Sequence, residues 1–358
     1  MQQQVKMKKT IITTILVLLM IFITGCGQTQ QVPNYYTGFA GITMAFSKTM
    51  PPSEVYEGTK SYPNVIPIAL EIANVGAYSV TNDSKIHLKI WHNGRPFLSG
   101  LGDYAGTNKI YNANLQLRGR STDWPNGESK YLALGRILNI SSLSSLFKNS
   151  NKQDVDVFAT ACYPYQTTLT QSICIDADIY HTQNNPICRN QPVYTLSAGQ
   201  GAPIAITKIE SEMVPFTGTP DQTQLTILDF SGDTPIKKTI NSENSQGVQP
   251  SFNIYIENKG KGKADVKLKS DDKDTCDSAK GFLGIDKVKV TADIAGVPLV
   301  CNPEILELQQ NAYTTCYFGK GYLINSNYEN ILNINVTYDY QDTITKKMTI
   351  KRLPSGLK

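Results

Sequence analysis

The sequence predicts an all-β protein, two tandem antiparallel β-sandwiches behind an exported amino-terminal segment. Three observations carry that prediction. Apolar residues recur at every second position in run after run, turn residues separate the runs, and one thirteen-residue pattern is written twice. The pattern reads YPYQTTLTQSICI at Tyr163–Ile175 and YDYQDTITKKMTI at Tyr338–Ile350, 175 positions later (163 to 338). Period-two alternation is the signature of a strand with one face buried.

The chain opens with Lys6, Lys8 and Lys9, followed by the apolar run IITTILVLLMIFI. The run is short for a membrane span and has the shape of a secretory signal. It ends in ITGC at Ile23–Cys26, which resembles a lipobox, where small residues precede a cysteine that takes a diacylglycerol. An ordinary signal peptide and an uncleaved anchor with an incidental cysteine are the competing readings. All three place the folded part outside the cytoplasmic membrane. The expected layout is a signal over residues 1–26, a polar tether over 27–36, a first sandwich over 37–197, a linker over 198–202 and a second sandwich over 203–354.

Composition fits an exported chain. Charged residues make up 18%, tyrosines number 19 and the formal net charge is +4. No basic stripe interleaved with aromatics is present, which argues against nucleic acid as a partner. About 330 residues follow the signal, enough for two or three domains with cores of their own.

Each sandwich has two landmarks. IPIALEIANVG, ending in Asn74-Val75-Gly76, matches QPSFNIYIENKG, ending in Asn258-Lys259-Gly260. Asn and Gly tolerate positive φ, so the sequence predicts a chain reversal there. In the second landmark, Val157, Ala159, Ala161, Tyr163 and Tyr165 share a face, as do Leu332, Ile334, Val336, Tyr338 and Tyr340. Each copy is expected to be a hairpin that closes its sandwich, with QTTLT or QDTIT as the turn. Between the landmarks KIHLKIW, KIYNANLQL and KYLALGRIL read as strands of the first unit. KADVKLK, KVKVTADI and EILEL read as strands of the second. SSLSSLFKNS (Ser141–Ser150) reads as a short helix or a loop.

Apart from Cys26 there are six cysteines: Cys162, Cys174, Cys188, Cys276, Cys301 and Cys316. An even number in an exported chain points to disulfides. A hairpin that sets Tyr163 against Ile173 also sets Cys162 against Cys174, which favours that pair. Cys174–Cys188 is its rival. Cys301 and Cys316 flank a hairpin-sized loop and are expected to pair, leaving Cys188 with Cys276 by elimination. No C-x-x-C occurs and the histidines are scattered, so no metal is expected.

Candidate chemistry is thin. The four motif tyrosines suit either a ligand platform or the core, and the core is favoured. His87 and His92 need not share a face. His181 lies in a loop with Asp176 and Asp178, and DDKDTCD is the other acidic cluster. Neither cluster has the calcium-loop pattern, so both read as solvated loops. No catalytic motif is present, and no cofactor is expected. Asn82, Asn139 and Asn335 match the N-glycosylation pattern.

The Asn-x-Gly landmark, the closing segment and the exported context resemble CARDB-type immunoglobulin-like modules. The phrases GQGAPIAITKIE and CYPYQT resemble those of paired modules in predicted exported archaeal proteins. The resemblance covers most of the chain after about residue 37. It implies immunoglobulin-like sandwiches and a role in adhesion, surface display or assembly, with no catalytic residues to carry over. The functional expectation is a membrane-anchored extracellular binding or scaffolding protein without catalysis, with a surface protein or a glycan as partner. The alternative is an accessory subunit of a surface enzyme or uptake system that recognises glycan or peptide. If ITGC is a lipobox, mass spectrometry of the mature chain will find a diacylated Cys26 at its amino terminus; an unmodified Cys26 or another start refutes the lipid anchor.

Overall fold

The computed structural model describes residues 34–56, 65–81, 86–92, 109–137, 150–178, 180, 182, 186–215, 224–229, 236–241, 248–266, 285–318, 322–323 and 327–353. Every regular element among them is a strand. Tyr35–Lys358 forms one compact unit. Its strands are, in the first repeat, β1 (Ile42–Phe46), β2 (Glu54–Tyr56), β3 (Val65–Asn74), β4 (Ile86–His92), β5 (Lys109–Leu115), β6 (Ser129–Ile137), β7 (Lys152–Ile175) and β8 (Val193–Thr195). The second repeat begins with β9 (Ile204–Pro215), β10 (Gln224–Asp229), β11 (Ile236–Asn241), β12 (Val248–Asn258), β13 (Lys263–Asp265) and β14 (Lys287–Ile294). It continues with β15 (Val297–Pro298), β16 (Val300–Asn302), β17 (Ile305–Glu307), β18 (Tyr313–Tyr317), β19 (Tyr322–Leu323) and β20 (Tyr328–Lys351).

The duplicated segments are not hairpins. Each lies inside a single strand of 24 residues, β7 and β20, and the two strands pair with each other along their whole length. Tyr163 faces Tyr340 and Tyr165 faces Tyr338, where a hairpin would have set Tyr163 against Ile173. The first half of β7 pairs with the second half of β20, and the reverse. The two repeats have thus opened the expected hairpins and exchanged their closing halves. The reason is local. Gln166–Gln171 contains no Gly, Asn or Pro. Short hairpin loops use a residue at positive φ, and β-branched threonine resists it. The chain therefore runs on extended, and its inward parity holds from Val155 through Tyr165 to Ile175.

Around this pair the large sheet is symmetric in order: β15-β14-β20-β7-β4-β5. β4 flanks β7 at Val157–Cys162, and β14 flanks β20 at the matching Leu332–Thr337. Of the three smaller sheets, β1-β3-β6 serves the first repeat, β16-β18-β12-β9-β8 covers the second, and β11-β10-β19 is a separate three-stranded sheet. Ile42 pairs with Asn74 in the first of these and Ile204 with Asn258 in the second, so the covers share their register too. The exchange is visible at both ends. Thr349 N donates to Ser53 O, and β2 lies parallel to the end of β20. Thr167 Oγ1 of the first repeat donates to Ile204 O of the second at 2.6 Å. One continuous core cluster results, and residues 198–202 are part of the packed body rather than a free linker. Gln200 bonds both backbone groups of Ile206, while Gly199 and Gly201 adopt φ of 69° and 68°.

The two landmarks of each repeat meet. Tyr165 Oη donates to Asn74 Oδ1 at 3.2 Å, and Tyr340 Oη to Asn258 Oδ1 at 3.3 Å. Each asparagine Oδ1 also accepts from the glycine two residues on, and its Nδ2 donates to the carbonyl of Tyr78 or Gly262. The remaining Nδ2 bond goes to Leu117 O in one copy and to the Asp286 carboxylate in the other. The asparagine amide is therefore saturated in both copies. Gly76 and Gly260 do not adopt the positive φ expected of them. They are glycine because a Cβ would strike the phenol oxygen of Tyr165 or Tyr340. At Gly76 it would also meet the carbonyls of Gly201 and Ala40.

The inner tyrosines differ. Tyr338 Oη bonds Thr167 Oγ1 at 3.1 Å, whereas Asp342 stands at the matching place near Tyr163, whose buried hydroxyl has no hydrogen-bond partner. Tyr165→Phe should therefore lower the denaturation free energy by about 1–2 kcal/mol, and Gly76→Ala by about 3 kcal/mol through overpacking. Tyr163→Phe should leave it unchanged or raise it, because no bond is lost. Urea midpoints of the three variants decide this; a Tyr163→Phe loss equal to that of Tyr165→Phe refutes a stabilising role for the Tyr165–Asn74 bond.

Candidate functional site

The motif tyrosines are core. Tyr163, Tyr165, Tyr338 and Tyr340 are all buried and pack edge-on or tilted, with centroids 5.7 to 6.3 Å apart. Burial is the largest cause of their shifted acidity. It raises the Tyr163 phenol, helped by the neighbouring phenols and Asp342, and raises Tyr165 and Tyr338 as well. Tyr340 is pushed up to about 12.

Of the favoured pairs, Cys301–Cys316 forms, while Cys174 takes the rival pairing. Cys174 bonds Cys188, and Cys301 bonds Cys316. Cys162–Cys174 fails because it depended on the hairpin: in the exchanged register Cys162 lies opposite Gln341, and Cys174 opposite Glu329. Cys188 is thereby taken from Cys276. Cys162 is also disulfide-bonded. Cys26, Cys276, His181, Asn82 and Asn139 lie outside the described residues. Asn335 is half-buried, and its Oδ1 accepts from Gln166 Nε2 and Thr168 Oγ1. His87 stands opposite Cys162 and His92 opposite Val157. The Asp176 carboxylate is buried and bonds Asn327 Nδ2, and Asp178 caps Thr182.

Two surfaces remain that the sequence did not reveal. One is a cleft of about 270 Å³ on the outer face of the large sheet, over the central pair Pro164–Asp339 and bordered by Tyr78, Gln166, Lys289 and Thr337. The other is the outward face of the second repeat's five-stranded sheet. There Tyr255 lies opposite Tyr313 and Lys208, Asn253 opposite Thr315 and Glu210, and Ser251 opposite Tyr317 and Glu212. Val300 extends the last row onto the edge strand β16.

This face is organised. The Tyr255 and Tyr313 rings are 5.1 Å apart, and the Lys208 ammonium sits 3.8 Å from the Tyr255 centroid. Glu210 accepts from both the Lys208 ammonium at 2.7 Å and the Tyr255 hydroxyl at 2.8 Å. The Lys208 hydrogen bond holds the Glu210 carboxyl low, and that carboxylate raises the Tyr255 phenol. Thr315 Oγ1 donates to Asn253 Oδ1 at 2.7 Å. Beneath, Cys301–Cys316 fastens β16 to β18. The signal was available in YTTCY, whose two tyrosines are four apart on a strand and so share a face.

The fold and this face define an all-β, disulfide-stapled protein with an open aromatic sheet surface. No family model matches the chain, and no curated protein matches it. Among solved structures it is similar to a bacterial adhesin from Mobiluncus mulieris containing intramolecular disulfide, isopeptide and ester bond cross-links. The match covers 88% of this chain and 100% of the adhesin's, at 8% identity and a TM-score of 0.20, a level that carries no argument.

The tyrosine core sets an alkaline limit. Ordinary tyrosine titrates near pH 10. Raised folded values mean that the unfolded chain loses protons first, so this contribution is full below about pH 10 and falls as pH rises through 12. Tyrosinate absorbance from the core should therefore appear together with loss of the β circular dichroism signal. Full tyrosine titration with the fold retained refutes it.

Proposed function

We propose that this chain is a membrane-anchored extracellular protein that binds or scaffolds through its sheet surfaces and carries out no catalysis. The single observation behind the reading is the outward face of β16-β18-β12-β9, an aromatic and polar surface on a stapled sheet. Support for its location comes from the ITGC sequence and from the disulfides, which persist in oxidising compartments. Support for a module of the CARDB type comes from the Asn-x-Gly and Tyr-x-Tyr landmarks, now understood as two halves of one contact. Asp176 bonds Asn327, and His87 and His92 stand opposite Cys162 and Val157; the proposal assigns none of the three a catalytic role.

Two measurements test the reading. Protease treatment of intact cells expressing the full chain should remove it while cytoplasmic markers survive. The purified protein should turn over no ester, peptide or glycoside substrate above blank. Protection from the protease overturns the location; turnover that disappears in His87→Ala or Asp176→Ala overturns the absence of catalysis.

A further inference from the structure

We infer that the outward face of the second repeat's five-stranded sheet binds an uncharged glycan chain, an assignment that rests on the binding role proposed above. The fold does not need this face. Residues that hold the core recur in both repeats: Asn74 and Asn258, Gly76 and Gly260, Tyr165 and Tyr340. The outward face does not recur. Counting back from the paired asparagines, Tyr255, Asn253 and Ser251 correspond to Glu71, Ala69 and Pro67 of the first repeat. Lys208 corresponds to Ala45, and Tyr317 to Gly135. Only Tyr313 has an aromatic counterpart, Tyr131, and that ring faces Glu71 rather than a second tyrosine. The first repeat folds on the same plan without the aromatic row, so packing does not explain it.

The chemistry of the row selects the ligand. Tyr313 and Tyr317 are 47% and 37% exposed and stand four positions apart on one strand, roughly 13 Å at about 3.4 Å per residue. That distance suits successive rings of one extended chain. Aromatic faces stack on the C–H faces of pyranose rings, and the hydroxyl edges need nearby donors and acceptors. Asn253, Thr315 and Asn302 supply them on the row between the tyrosines, and Ser251 beside Tyr317. Charge complementarity favours a neutral chain. Lys208 is spent on Glu210 and on the Tyr255 ring, so it is no free site for a phosphate or carboxylate. An acidic glycan would also meet Glu210 and Glu212. The Cys301–Cys316 staple fixes the strands that bear the two tyrosines and Asn302, which lowers the ordering cost of binding.

The test titrates soluble hexaoses of glucose, mannose and xylose into the purified full chain, followed by calorimetry. At least one should bind, and Tyr313→Ala and Tyr317→Ala should each weaken it about tenfold or more, a loss of about 1.4 kcal/mol. Tyr131→Ala, at the matching position of the first repeat, should leave binding unchanged. Circular dichroism of the variants should be that of the parent, since the rings are exposed. Binding of none of the three, or binding that survives both tyrosine substitutions, overturns the assignment and leaves the non-catalytic surface role standing. A hexaose that binds through these tyrosines and is then cleaved supports the glycan site but overturns the absence of catalysis, so the two failures are distinct.

Discussion

The pairing of β7 with β20 is the constraint on which the rest of the molecule depends. Each strand is 24 residues long, and each serves both halves of the body. Along its whole length it lies beside the other repeat's long strand, and its first half also flanks a strand of its own repeat. Neither repeat closes its core alone. Exchange of closing strands is a familiar route between separate chains; here it operates within one. The coupling makes a single compact unit of what composition and spacing describe as two tandem modules.

A second interaction locks each end of that arrangement. Asparagine, glycine and tyrosine meet 82 or 91 residues apart in sequence. The tyrosine comes from the long strand and the asparagine from the covering sheet, so the bond ties the two layers together. The glycine is there to admit the phenol oxygen. The amide, buried at Asn74 and half-buried at Asn258, uses all of its donors and acceptors, the condition under which a polar group adds specificity to a core without a desolvation deficit. The copies diverge where the contact permits: a carboxylate from Asp286 replaces a backbone carbonyl, and Asp342 replaces Thr167.

The outward surfaces follow a different logic. Symmetry is kept at the paired landmarks of the core and largely lost on the second repeat's exposed sheet, where Tyr255, Tyr313 and Tyr317 stand among polar side chains. Such a surface binds by stacking and hydrogen bonding rather than by enclosing a ligand. It was only half legible beforehand. The i, i+4 tyrosines of YTTCY announce a shared face, but their partners Tyr255 and Lys208 lie on strands that only the pairing register brings alongside.

The sequence by itself determined that the protein is all-β, which residues face inward, and that two segments are duplicated, because strand periodicity is a local property of the chain. Val157 to Tyr165 and Leu332 to Tyr340 follow that alternation through to the structure. Cys301–Cys316 was also within reach, since its loop is short and local. Only the tertiary structure decided that the Tyr-x-Tyr segments run straight on rather than turning back, that Cys174 therefore meets Cys188, and that Tyr165 and Tyr340 each meet an asparagine of their own repeat. Those outcomes turn on which of two equivalent strands supplies the closing pair. The duplicated pattern offers almost the same inward face either way, so periodicity cannot choose. The choice falls to the absence of turn-forming residues in Gln166–Gln171 and to the cross-strand packing of Tyr163 against Tyr340.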